Sequence, residues 1–249
     1  MLSAPDGYPL GVPRRLTTHR PPIGRLRRAW GAVAMAVRHL RTLPITERHR
    51  AEGDATDLPA PWPLALVDRR TKTVADGHGP LYHRTFTVRT VDATHGAAEL
   101  IETLSQDLDR AVPPHVVTFA RERGEPGMMR VGDEYRVYMP APWDGPVRVL
   151  SRNASGFRLG TLDGHLEAGV IEFRASDDGA GVVEFTIEAW ARAGDRGAEI
   201  VYRRLAIGRE IQAGLWLQFC LGAVRLTGGR RDGSVCDVTR RVPASELRA

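Results

Sequence analysis

The sequence predicts an α+β fold of the helix-grip type, in which a curved antiparallel sheet wraps around one long C-terminal helix. Three observations predict it: short strands separated by tight turns fill the middle of the chain, an amphipathic helix precedes them, and a long helical pattern over 195–226 follows them. The apolar face of such a sheet has to be covered, and the long helix is the only element large enough to cover it.

The first 77 residues predict an arm that precedes this domain. Apolar residues recur at steps of three and four over 23–42, while most of the arginines there lie off the apolar stripe, which predicts one basic amphipathic helix. The stretch 51–80 is rich in proline and glycine, which is typical of an ordered loop or a linker. The expected organisation is an arm at 1–77, a helix-grip domain at 78–228 and a C-terminal tail at 229–249.

The domain itself begins with a strand, because apolar and polar residues alternate from Tyr82 to Arg89. A helix is predicted at 95–111, and a second short helix at 114–122. The strands that follow alternate with turns rich in glycine and aspartate, and connections this short are typical of an antiparallel meander. These five strands are predicted at 133–140, 146–152, 156–162, 169–175 and 181–190.

Composition excludes several kinds of site. The only lysine among 35 basic residues is Lys72, and the chain lacks the Gly-Lys pair that a phosphate-binding loop needs. Because Lys72 falls in the loop before the predicted domain, we expect no lysine at a cavity. The two cysteines and eight histidines lack the spacing of a zinc site, so we expect no metal and no cofactor.

Charge and cysteine content bear on where the protein acts. The low cysteine content predicts a reducing, cytoplasmic compartment, and no apolar run reaches the ~18–20 residues of a membrane-spanning helix. Residues 1–50 hold ten arginines against two acidic residues, a net charge of +8, which leaves a net charge of −3 for the rest of the chain. The basic pI of 9.7 therefore describes the arm and not the domain.

The basic helix at 23–42 has three open interpretations. Its apolar stripe packs on the domain, or the helix lies on an anionic membrane surface with Trp30 inserted, or its arginines bind nucleic acid. Proteins that bind nucleic acid usually interleave aromatic with basic residues, and Trp30 is the only aromatic residue of this helix. We therefore expect no nucleic-acid partner.

A segment in the middle of the predicted sheet resembles the signature of DUF1990, a bacterial and plant family of unknown function. The resembling residues are Gly160-Thr161-Leu162-Asp163-Gly164-His165-Leu166-Glu167-Ala168-Gly169 with Phe173, Val131-Gly132-Asp133-Glu134 and Arg148. That family is placed in the START-like (SRPBCC) superfamily, together with the birch-pollen-allergen fold and the polyketide cyclases. The resemblance covers about 81–226; it implies a helix-grip fold with a cavity for a lipophilic ligand, and it implies no particular reaction.

The long helix and the strands supply candidate ligand-binding residues. Gly208 and Gln212 lie on an otherwise apolar face of the helix, where a glycine and a buried amide both cost stability. Either Gly208 makes room for a ligand that Gln212 contacts, or Gly208 allows close packing and Gln212 bonds a strand. The candidate lining residues, which match the mostly apolar character of ligand sites, are Phe157, His165, Phe173, Phe185, Trp190, Gly208, Gln212 and Phe219.

His165 and Glu167 are the candidates for chemistry. They lie two apart at a turn between strands, so that both side chains point the same way. An imidazole beside a carboxylate can transfer protons near neutral pH, but the two can equally contact a ligand at the rim of the cavity or stabilise the turn.

Three functions stay open on the sequence alone. The first is non-catalytic binding of a small apolar ligand. The second is a cyclase- or dehydratase-type enzyme that uses His165 and Glu167 as acid and base. The third is a peripheral membrane or partner-binding protein that acts through the helix at 23–42.

Overall fold

The computed structural model describes residues 45–112, 117–138, 144–195 and 206–248, with the side chains of 213–247 in the last range. The basic helix predicted at 23–42 lies outside these residues. Within the described ranges, nine strands form one sheet, and two α-helices pack beside it.

The strands and helices follow in this order along the chain. The strands are β1 (Thr46–Glu52), β2 (His78–Val91), β3 (Thr118–Arg123), β4 (Glu134–Tyr138), β5 (Gly145–Arg152), β6 (Gly156–Thr161), β7 (Glu167–Asp177), β8 (Val183–Ala193) and β9 (Arg230–Val242). Helix α1 (Ala97–Gln106) lies between β2 and β3, and helix α2 (Ala206–Leu226) lies between β8 and β9. Neighbours in the sheet follow the order β1-β9-β2-β8-β7-β6-β5-β4-β3.

The predicted helix-grip architecture is confirmed. Strands β3 to β8 pair consecutively and antiparallel, as the predicted meander requires, and β8 then pairs with β2. Helix α2 packs against β2, β8 and β9 on one side and against the short helical turn Leu108–Ala111 on another. Residues 213–220 are consequently all buried, so α2 is covered around most of its circumference there and not on one face alone.

The short helix predicted at 114–122 is wrong over its described part. Thr118–Arg123 is strand β3, which pairs antiparallel with β4. Its first residues are β-branched or aromatic, and such residues favour strands. The backbone N–H of Phe119 donates a hydrogen bond (2.7 Å) to the carboxylate of Asp109, which ties the start of the strand to the preceding turn.

The segment expected to be a tail is a strand of the sheet. β9 lies between β2, with which it pairs antiparallel, and β1, with which it pairs parallel. Val235 is buried in the cluster on one face of the sheet and Val242 in the cluster on the other. The buried positions between these valines are taken by Asp237 and Thr239, so apolar residues do not alternate along the strand and the sequence pattern does not reveal it. The sheet therefore extends past both predicted domain boundaries, at 78 and at 228.

The two faces of the sheet carry separate apolar clusters. The inner face, which faces α2, holds the larger cluster, and alternate residues of β8 such as Phe185 and Ile187 belong to it. The outer face holds a smaller cluster, and Trp190 of the same strand belongs to that one. The buried residues of the outer cluster are Trp62, Leu81, Leu150, Leu162, Val170, Trp190 and Val242.

Residues 53–76, which we call the strap, cover the outer face. Trp62 belongs to the outer cluster, and Leu66 and Val74 pack against it. The Trp62 indole lies so close to Gly160 of β6 that a Cβ there would overlap the ring. Glycine at 160 therefore allows the strap to dock.

A buried ion pair fastens the strap to the sheet. Arg148 and Glu134, which are 5% and 3% exposed, lie on neighbouring strands with 2.7 Å between Nη2 and Oε1. The guanidinium also donates to the carbonyl oxygen of Leu66 (2.7 Å) and to the carboxylate of Asp68 (2.8 Å). Arg70 donates to the other oxygen of Glu134 (2.8 Å). Arg148 and Glu134 are among the residues that resemble the family signature, and strap anchoring gives them a structural role.

A buried histidine with two carboxylates, which we call the His83 clamp, holds the beginning of the strap. His83 of β2 is buried, and its two ring nitrogens lie 2.8 Å from carboxylate oxygens, Nδ1 from Asp57 of the strap and Nε2 from Glu188 of β8. Arg240 lies 3.7 Å from Asp57, and Arg174 pairs with Glu188. Burial by itself lowers the pKa of His83, but the hydrogen bonds with the two carboxylates outweigh burial and leave this pKa raised. In its protonated form the ring donates to both carboxylates.

We expect this clamp to make stability depend on pH. Because the pKa of His83 is raised in the folded protein, its contribution is complete below the ordinary value of 6.5 and is lost as pH rises through the raised pKa. His83→Gln should therefore lower the free energy of unfolding more at pH 5.5 than at pH 9. Urea unfolding of both proteins at the two pH values measures this. His95→Gln, at an exposed histidine, is the control; an equal loss for H83Q at both pH values would contradict the clamp.

Breaking the buried ion pair should cost more than breaking an exposed one. Glu134→Gln removes the carboxylate between Arg148 and Arg70 while Asp68 still pairs with Arg148, and we expect the free energy of unfolding to fall by about 2–3 kcal/mol. Glu122→Gln breaks the more exposed pair with Arg136 and should cost less than about 1 kcal/mol. Urea unfolding at pH 7 compares the two variants, and similar small losses would refute the anchoring role.

Candidate functional site

A cavity lies between the inner face of the sheet and α2. It measures about 60 Å³ among the described residues, and Phe119, Ile171, Phe173, Ala189, Leu215 and Trp216 are among its apolar lining residues. The polar lining residues Thr161, His165 and Glu167 lie at or near the turn between β6 and β7.

The cavity is smaller than the sequence led us to expect. Typical ligand sites measure about 300–1,000 Å³, whereas about 60 Å³ gives room for about four to six water molecules. The volume refers to the described residues, and the segments 139–143 and 196–205, which adjoin lining strands in the sequence, lie outside them.

Four of the predicted aromatic residues lie together at this site. Phe173 lines the cavity. Phe157 stacks on it, with 4.8 Å between ring centroids, and Phe219 of α2 lies 5.1 Å from it and stacks on Phe185 at 6.0 Å. Phe157, Phe185 and Phe219 are fully buried and back the cavity wall instead of lining it. Gly208 and Gln212 belong to α2, but their side chains lie outside those that the structure describes.

Trp190, another candidate lining residue, borders the cavity mainly with its backbone side of the strand. Trp190 borders the cavity, but its ring belongs to the outer cluster and stacks on the ring of His83, with 4.9 Å between centroids. The alternation of β8 explains this, because Ile187 lies on the inner face and Trp190 is three residues further along. A Cβ at Gly169 of β7 would overlap the Trp190 carbonyl, so the two strands approach closely where they border the cavity.

A backbone contact fixes the proton on His165. Gly164 has a φ of +93°, which glycine adopts without strain, and it turns the chain so that the backbone N–H of Glu167 donates to Nδ1 of His165 (2.9 Å). An Nδ1 that accepts a hydrogen bond places the proton of the neutral ring on Nε2. The ring packs against Gly145, where a Cβ would overlap it. Burial, together with the charge of Lys72, lowers the pKa of His165 to about 4.

This geometry changes the role expected of His165 and Glu167. Both border the cavity, as the binding and acid–base hypotheses require. The contact between them, however, joins the imidazole to the backbone of Glu167 and not to its carboxylate. Because the pKa of His165 is about 4, the ring is neutral at pH 7 and acts there as an N–H donor.

The only lysine lies beside this turn, which the sequence did not lead us to expect. Nζ of Lys72 donates to the carbonyl oxygen of His165 (2.7 Å). The backbone of Lys72 is held from both sides by Thr161, whose carbonyl accepts from the Lys72 N–H (3.1 Å) and whose hydroxyl donates to the Lys72 carbonyl (2.7 Å). Lys72 therefore contacts a residue that lines the cavity, His165, but does not line the cavity itself.

The described residues offer no metal site, and the thiol on α2 is not reactive. No group of three His, Cys, Asp or Glu side chains in the described ranges could hold a metal ion. Cys220 of α2 is fully buried, and burial raises the pKa of its thiol, so it is a packed and unreactive side chain. None of the helices that the structure describes combines the length and the apolar content needed to cross a membrane.

We expect nuclear magnetic resonance to find His165 as the neutral Nε2–H tautomer at pH 7. The ring should gain its second proton near pH 4, and Lys72→Met should raise the pKa because it removes a neighbouring positive charge. Ring ¹⁵N shifts recorded between pH 3 and 8 measure the tautomer and the pKa. Lys72→Arg keeps the charge and is the matched control. A titration near pH 6.5, or a proton on Nδ1 at pH 7, would be the contrary result.

Comparison with protein families gives a match over most of the domain. The model of a family described as a domain of unknown function, DUF1990, matches residues 67–213. The matched range contains the end of the strap, strands β2 to β8 and the first third of α2. A comparison with curated proteins finds no match.

Several solved structures are similar at low sequence identity. Norcoclaurine synthase from Thalictrum flavum, solved in complex with dopamine and hydroxybenzaldehyde, is 10% identical with a TM-score of 0.41, over 68% of this chain and 95% of that one. Major latex-like protein 151 from Panax ginseng is 14% identical with a TM-score of 0.34, over 53% and 97%. The di-domain ARO/CYC protein StfQ of the steffimycin biosynthetic pathway is 11% identical with a TM-score of 0.42, over 62% and 52%. Similarities this distant say nothing about a ligand or a reaction.

Proposed function

We propose that this chain, which belongs to the DUF1990 family, binds a small and largely apolar molecule in the cavity between the sheet and α2. The observation that carries the proposal is the composition of the cavity wall. Aromatic and aliphatic side chains from six strands and α2 surround the cavity, and a few polar groups gather at one turn. Ligand sites are mostly apolar, with a few polar groups that fix the orientation of the ligand.

The size of the cavity limits the ligand. Space for about four to six water molecules accommodates a molecule of about six non-hydrogen atoms, or one end of a longer molecule. The aromatic rings around Phe173 are packed edge to face and face to face, so the wall there is stiff, and a larger ligand would have to displace it.

A second candidate is acid–base catalysis of the cyclase or dehydratase type. One observation favours it, namely that His165 and Glu167 border the same cavity. Two features favour binding without catalysis: burial lowers the pKa of His165 to about 4, and a backbone N–H occupies its Nδ1. Chemical change of a bound ligand by the native protein, lost in Glu167→Gln, would favour the enzyme.

The third candidate, membrane association through the helix at 23–42, stays a prediction from the sequence. It depends on residues outside those that the structure describes. A chain that begins at residue 45 should then lose co-sedimentation with anionic vesicles that the full chain shows. Retention of binding by the shortened chain would contradict this candidate.

Filling the cavity should abolish ligand binding. Ala189 is buried and borders the cavity from β8, and Ala189→Leu adds three carbon atoms to a space of about 60 Å³. Native mass spectrometry, followed by extraction and identification of the bound molecule, measures the ligand carried by each purified protein. We expect a small apolar molecule on the original protein and at least tenfold less on the variant.

Ala180→Leu is the matched control because Ala180 lies in the exposed turn between β7 and β8. It should carry as much ligand as the original protein. Thermal unfolding of A189L checks that the variant is folded. A folded A189L that carries as much ligand as A180L would exclude this cavity as the binding site.

A further inference from the structure

We propose that the ligand of the inner cavity carries a neutral carbonyl-type oxygen that accepts a hydrogen bond from the indole N–H of Trp216, an inference that rests on the proposed binding function. Three observations carry it: the place of Trp216 in the cavity wall, the state of its indole nitrogen, and the polar groups around it.

Trp216 is fixed in the wall of the cavity. It lies on α2, is 8% exposed and lines the cavity. Its ring meets Phe173 of β7 edge to face, with 5.8 Å between centroids, and lies 6.3 Å from the ring of Phe219. Contacts with two aromatic rings restrict the rotation of the indole, so that its N–H has a defined direction.

The indole nitrogen of Trp216 is a buried donor. It is out of contact with solvent, and it bonds no acceptor among the residues that the structure describes. A buried N–H without an acceptor costs free energy, and a phenylalanine would fill the same wall without that cost. The backbone carbonyls of the surrounding helix are used by the helix itself. An acceptor supplied by a ligand in the adjoining cavity satisfies this donor.

The other polar groups at the cavity narrow the chemistry of the ligand. His165 lines the cavity as well, and because its Nδ1 accepts a backbone hydrogen bond, its neutral ring carries an N–H donor and no free acceptor nitrogen. The hydroxyl of Thr161 is already used, since it donates to the carbonyl of Lys72 (2.7 Å) and accepts from the N–H of Gly169 (2.9 Å). The carboxylate of Glu167 borders the cavity and would repel a ligand carboxylate. A ketone, ester or amide oxygen satisfies the N–H donors without that repulsion.

Two probe molecules of the same size and shape distinguish the contribution of this hydrogen bond to binding from the contribution of shape. Cyclopentanone and methylenecyclopentane each have six non-hydrogen atoms, which suits the size of the cavity, and they differ in an oxygen against a CH₂ group. Binding of each probe to the full chain, to Trp216→Phe and to a control variant is measured by titration of ¹H–¹⁵N spectra. Comparing the two probes across variants cancels the difference in their hydration.

We expect cyclopentanone to move the indole N–H resonance of Trp216 downfield, and methylenecyclopentane to leave it nearly in place. W216F, which also assigns that resonance by its loss, should weaken cyclopentanone about 3- to 10-fold and change methylenecyclopentane less than twofold. Trp62→Phe is the matched control. The Trp62 indole nitrogen is also buried without an acceptor in the described structure, but it lies in the outer cluster, so W62F should change neither probe.

Two results would contradict the inference without contradicting the proposed function. Either W216F weakens both probes equally, which means that Trp216 contributes shape only, or both probes bind the original protein and the indole resonance does not respond to the ketone. If neither probe binds the original protein, the proposed function fails together with the inference. Should W216F not fold, the indole resonance of the original protein, assigned through its contacts with the rings of Phe173 and Phe219, decides the question.

Discussion

Apolar side chains alternate onto both faces of the sheet, and both faces therefore have to be covered for this fold to exist. Helix α2 covers the inner face. The outer face is covered by the strap, which contains only single helical turns and cannot hold a shape of its own. Its position depends on a few side-chain contacts: the Trp62 indole on Gly160, the buried pair of Arg148 and Glu134, and the His83 clamp. Together these contacts attach the strap to five strands, β2, β4, β5, β6 and β8.

At the turn between β6 and β7, the strap on the outer face comes close to the cavity on the inner face. Leu162 belongs to the outer cluster, and His165, three residues later, borders the inner cavity. Lys72 of the strap donates to the carbonyl of His165, so one short segment is in contact with the strap and with the cavity. The glycines among the residues that resemble the family signature have local reasons: Trp62 and the Trp190 carbonyl approach Gly160 and Gly169 closely, and Gly164 has a positive φ.

Local patterns predict much of this structure, and contacts between distant segments account for the rest. Alternation and turn residues give the meander and its inner face, because a strand and a tight turn are determined by neighbours in the sequence. The partners of β9 could not be predicted in this way, since β1 lies far away along the chain. At the site, the sequence identified His165 but not the position of its proton, which depends on a backbone contact. Trp216 was missed because α2 is apolar around most of its surface, and no single face of it indicates the cavity.

The place of β9 in the sheet has a consequence for the order in which the protein is completed. β1 is the first described strand to be synthesised and β9 the last, yet β9 lies between β1 and β2. The first strand therefore has no hydrogen-bonding partner until the ninth has joined the sheet, and closing such a long loop is slow. During synthesis the edge of β2 stays open while β3 to β8 assemble on its other side. A mutation that weakens β9 would consequently first affect β1, which pairs with no other strand of the described sheet.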